Sequence, residues 1–92
     1  MKWAMVEWGD ALGRLAVQRN PDLGEVRVSG SIHQRQGVLS VPFVVRHTTI
    51  PAYRVRMHID PKHFDATPED ALTDNMMAEF SAQRCARCGR AA

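Results

Sequence analysis

Two cysteines three residues apart, in Cys85-Ala-Arg-Cys88-Gly89, and four histidines carry the most accessible chemistry in this 92-residue chain. A C-x-x-C-G turn offers two soft thiolates, half of a tetrahedral zinc site, and His58 with His63 could add two imidazole nitrogens. Zinc is therefore the one cofactor the residues suggest, and nothing calls for another. The spacing opposes a single four-ligand site. A helix expected over 67–84 is roughly 25 Å long, with His58 and His63 near its start and the cysteines at its end. In a simple meander the histidine nearest the cysteines is His47. Two C-x-x-C pairs meeting across a homodimer would also hold a metal. Without one, residues 85–92 make a frayed tail with two free thiols. Redox chemistry fits poorly, because a C-x-x-C pair is activated at a helix N-terminus and this one follows a C-terminus.

A second cluster follows from strand parity. His33 and His58 fall on the outward side of the first and third expected strands, at the same end of the sheet, with Asp60 and His63 nearby. Flanking strands stand about 10 Å apart, a gap that two imidazoles can bridge through a metal. The same group could serve as a pH-sensitive patch, and solvated histidines at a sheet edge are the simpler expectation. The same parity gathers Arg27, Arg46, Arg54 and Arg56 on one face, with Arg35 in the neighbouring connection. Arginine forms forked contacts with carboxylates and phosphates, so these five are the candidate partner-binding residues.

The elements that must position these groups are legible in order. Met1, Met5, Trp8, Leu12 and Leu15 form an apolar stripe that predicts a helix over 1–20, closed by Asn20-Pro21. Gly9 and Gly13, one turn apart, leave a groove for the sheet or second helix of the same domain. A three-stranded antiparallel meander is expected over 25–59. Its first strand, Glu25–His33, turns Val26, Val28, Gly30 and Ile32 inward, Gly30 leaving a gap. The polar stretch His33–Gly37 suits a hairpin of the longer type. Val38–His47 directs Leu39, Val41, Phe43 and Val45 inward. Its Pro42 requires either a bulge or an edge position. In the third strand Tyr53, Val55, Met57 and Ile59 alternate with Arg54, Arg56 and His58 before Asp60-Pro61 stops it.

The second helix starts at the Thr67 cap with Pro68 in its first turn, and carries Leu72, Met76 and Phe80 at four-residue spacing. The expected architecture is a two-layer α+β domain: helix, three-stranded antiparallel β-meander, helix, with both helices on one face of the sheet. A length of 92 residues suits one domain, 1–92.

Composition narrows the function classes. The hydrophobic content of 45% is globular, and the formal net charge of +2 is too small to mark a nucleic-acid binder by charge alone. No apolar run reaches membrane-spanning length and no signal peptide is evident, so no membrane association and a cytoplasmic location are expected. No phosphate loop, G-x-S-x-G or H-E-x-x-H motif is present, and no enzyme is expected. Acidic Glu69 and Asp70 open the second helix, the wrong charge there for a phosphate contact. The expectation is a small non-enzymatic binding protein whose arginine face occupies a macromolecular partner, with protein favoured over nucleic acid. By type, such a chain suits a phage or bacterial accessory protein that inhibits a host complex. The alternatives are a nucleic-acid-binding regulator using the same arginines, or a zinc-stabilised dimerisation module.

Overall fold

The computed structural model describes residues 4–81. Helix α1 (Met5–Arg19) is followed by a 3-10 turn over Pro21–Leu23, and then by β1 (Glu25–Val28), β2 (His33–Arg35), β3 (Val38–Arg46) and β4 (Tyr53–Ile59). A second 3-10 turn, Pro61–Asp65, leads to α2 (Pro68–Ala71) and α3 (Asp74–Ser81). The antiparallel sheet is centred on β3, which pairs with β1 and β2 along one side and with β4 along the other. Both helical layers lie on the same face of the sheet, giving the expected two-layer α+β arrangement.

The inner face follows the period-2 rule. Leu39, Val41, Phe43 and Val45 of β3 are all at most 3% exposed, and they join Trp8, Leu12 and Ala16 of α1 and Met76 and Phe80 of α3 in one core. Fully burying a side chain of this size contributes about 1.5–3 kcal/mol. Phe80 meets Phe43 edge-on at 4.9 Å, and Trp8 packs against Phe64 at 4.5 Å. The Trp8 indole N–H donates to the Ala66 carbonyl at 3.0 Å, which satisfies its one polar group. The apolar stripe of α1 starts effectively at Trp8, because Met5 is 45% exposed.

Three elements depart from expectation. The first strand is not continuous over Glu25–His33. Val28 stands opposite Phe43 and His33 opposite Ser40, so the four residues 29–32 face only Val41 and Pro42. Pro42 causes this interruption. Its carbonyl accepts from the Ser29 N–H at 2.8 Å, but a proline has no N–H to return. The chain swings out through Gly30 at φ +109°, so Gly30 is not part of the inward set. Pro42 therefore sits in a central strand that keeps unbroken register with β4, and it is the partner strand that divides into β1 and β2, so neither a bulge in β3 nor an edge position is found.

The hairpin is also tighter than expected. His33, Gln34 and Arg35 are strand, and the turn is the two residues Gln36 and Gly37, both at positive φ (52° and 78°). That is the requirement of a two-residue hairpin whose twist matches its strands. Last, the second helix is two helices. Thr67 caps α2 as expected, its hydroxyl accepting from the Asp70 N–H at 3.3 Å. Leu72 then turns extended, and the Thr73 hydroxyl accepts from the Met76 N–H at 3.2 Å to start α3. A second Thr cap three residues before a helical N–H competes with continuation of the first helix. Leu72 is buried even so, and its carbonyl accepts from the Arg19 guanidinium at 3.3 Å.

Candidate functional site: the outer face of the sheet

Strand register sets out the outer face row by row. Glu25 stands beside Arg46. Arg27, Val44 and Arg54 form the next row across the three strands. Arg56 lies beside Pro42, opposite the point where the edge strand breaks. His33, Ser40 and His58 form a complete row, and Arg35 stands beside Val38 at the hairpin. All five expected arginines thus reach one face, and His33 and His58 flank the same serine, one on each side.

The centre of this face is largely apolar and its flanks are cationic. Val38, Pro42 and Val44 run along β3, Val38 being 37% exposed. Arginines and histidines stand on the strands to either side. Glu25 is the one carboxylate within the paired rows. It pairs with Arg46 at 3.3 Å and with Arg27 at 3.9 Å, all three side chains being more than half exposed. Such solvated pairs add little stability. They do hold two guanidiniums at one end of the face. Toward the other end Arg56 donates to the Ser40 hydroxyl at 2.9 Å. Arg35 and Arg54 make no ion pair among the described residues.

The hairpin end of the face is hollowed. His33, Arg35, Val38, Ser40, Arg56 and His58, with Gln34 and Gln36, line an open depression of about 930 Å³. No carboxylate borders it, and its polar groups are guanidinium, imidazole, amide and hydroxyl. Chemically it suits an anionic group more than a cation. His63 lies in the turn Pro61–Asp65, and among the described residues no set of three His, Cys, Asp or Glu side chains stands close enough to hold a metal. The structure thus brings His33 and His58 to one row without adding His63 as a third ligand. Cys85 and Cys88 lie outside the described residues, as do Met1 and Trp3.

The two edges of the sheet are finished differently, which sequence reasoning missed. The Val28 N–H, pointing away from β3, is taken by the Asp10 carboxylate of α1 at 2.8 Å. One turn on, a Cβ at Gly13 would lie 2.1 Å from the Val26 carbonyl oxygen, and one at Gly9 2.4 Å from a Val28 methyl. The glycine groove is therefore filled by β1 itself, as expected for an element of the same domain. The overlooked signal was Asp10 between the two glycines, a short acceptor on the side of the helix that approaches closest. No described element caps β4 in this way.

No family model, curated protein or solved structure matches this chain. No helix among the described residues is long and apolar enough to cross a membrane.

Proposed function

We propose that this chain is a small non-enzymatic binding protein that occupies an acidic protein surface through the outer face of its sheet. The observation that carries this reading is the apolar strip Val38, Pro42 and Val44 flanked on both sides by arginines. Phosphate backbones would engage the cations and leave the strip unused. A protein partner with apolar side chains ringed by carboxylates uses both, and arginine is enriched at such interfaces. Among the described residues no Phe, Tyr or Trp on this face offers a platform for base stacking. Phe43 and Trp8 are fully buried, and the half-buried Tyr53 is turned inward, its hydroxyl donating to the Phe80 carbonyl. A protein of this kind acts by occupancy, which is how an inhibitor of a larger complex works.

The test is capture of the partner from the cell of origin, followed by affinity measurement with purified components. Binding should survive nuclease treatment. The Arg54→Glu/Arg56→Glu variant should weaken it by about 100-fold, since like charges placed across an interface cost several kcal/mol. Dependence on salt should be milder than that set by counterion release from a phosphate backbone. A steep fall in proportion to phosphates contacted would favour nucleic acid instead. Full binding by the double variant would end both readings of the face.

A further inference from the structure

We infer that β4 is a docking edge for an extended acidic strand of the partner, which would join the sheet as a new antiparallel neighbour. This rests on the proposed function and names the form in which the partner binds. Backbone direction supplies the first argument. The Pro42 carbonyl points toward the β1 side, where it accepts from Ser29. Backbone groups alternate sides along a strand, so Val41 and Phe43 turn toward β4 and bond to Met57 and Val55, their register partners. Arg54, Arg56 and His58 consequently aim their N–H and C=O groups away from the sheet. Among the described residues no hydrogen bond reaches those groups.

Charge selects the occupant. The same three residues project cationic or basic side chains onto the outer face, and cations on an edge strand guard against unwanted pairing. A second copy docking antiparallel about Arg56 would set Arg56 opposite Arg56 and Arg54 opposite His58. The chain's own residues 82–92 contain three arginines and no Asp or Glu. A strand carrying carboxylates opposite Arg54, Arg56 and His58 turns the guard into attraction. The inner face completes the specification. Met57 and Ile59 are buried, whereas Val55 is only half-buried beside the open edge. An incoming strand that alternates acidic and apolar residues would cover Val55 with its apolar side. Strand addition of this type draws affinity from the main chain and specificity from alternate side chains.

The probe is the capped heptapeptide Val-Glu-Val-Glu-Val-Glu-Val, compared with the same peptide N-methylated at its three glutamates. Methylation keeps every charge and removes the three N–H donors that would meet β4. The unmodified peptide should bind and slow hydrogen exchange at the Arg54, Arg56 and His58 amides, and methylation should weaken binding by about tenfold or more. Absence of binding, equal affinity of the two peptides, or unchanged exchange at those amides would overturn the inference. If methylation has no effect while Arg54→Glu/Arg56→Glu still abolishes partner binding, edge docking fails and the arginine face stands. If the double variant also keeps the cellular partner, the functional reading itself fails.

Discussion

The two long edges of this sheet solve the same problem in opposite ways. An edge strand presents unpaired N–H and C=O groups, which must be satisfied or protected. At β1 the protein covers the edge from within: α1 comes close enough, through Gly9 and Gly13, for Asp10 to accept from the Val28 N–H. At β4 the equivalent groups of Arg54, Arg56 and His58 stay open and are guarded by charge. A closed edge is committed to stability. An open one that carries charge admits a partner of the right sign. A glycine pair and one carboxylate in a helix can thus determine which side of a sheet remains available.

Forcing the closed edge open gives the largest expected effect. In an ordinary helix Gly→Ala gains about 1 kcal/mol. At Gly13 the new methyl would meet the Val26 carbonyl oxygen at 2.1 Å, a backbone atom that cannot swing aside. Gly13→Ala should therefore destabilise by about 1–3 kcal/mol, the usual cost of overpacking, as measured by urea unfolding. A neutral or stabilising result would mean that α1 does not approach β1 so closely.

Asp10→Ala should cost about 1–2 kcal/mol by leaving the part-buried Val28 N–H without its acceptor. Asp10→Asn, which keeps a carbonyl oxygen, should recover much of that loss. Equal destabilisation by both would argue against a hydrogen-bonding role.

Tyr53, on β4, tests the other edge. Its hydroxyl donates to the Phe80 carbonyl, and burial raises its pKa above the ordinary 10.0. A folded pKa above the unfolded one gives stability that is fully present below about pH 10 and is lost as pH rises through the folded pKa. Tyr53→Phe should cost about 1 kcal/mol near neutrality and remove this tyrosine's share of the alkaline loss. The smallest effect on folding belongs to Arg54→Glu/Arg56→Glu, expected to stay within about 0.5 kcal/mol of wild type because both side chains are exposed. If that pair unfolds the protein, the open edge is structural after all.

Much of this division was legible from residue order. Alternation from Tyr53 to Ile59 and from Leu39 to Val45 placed the arginines on one face and the core on the other, whereas His33 joins the row of His58 through the separate strand β2 and not through an unbroken alternation from Glu25. Other features depended on competition between local signals. Thr67 and Thr73 both cap, and which one governs a helix is decided by whether Leu72 can reach the core while extended. Pro42 suggested either a bulge or an edge, and the structure shows neither: β3 pairs on both sides, and its partner divides into β1 and β2 where the proline lacks an N–H. The two-residue turn at Gln36 and Gly37 was hidden in a polar stretch with no apolar alternation to mark where the strand stops.

The two faces of the sheet were set by residue order alone, because side-chain direction in a strand repeats every two residues whatever surrounds it. Which edge is covered by a helix was settled by packing. That choice depends on how near α1 can come to β1, a matter of ångström-scale contact between residues far apart in the chain. Local periodicity carries no record of such contact.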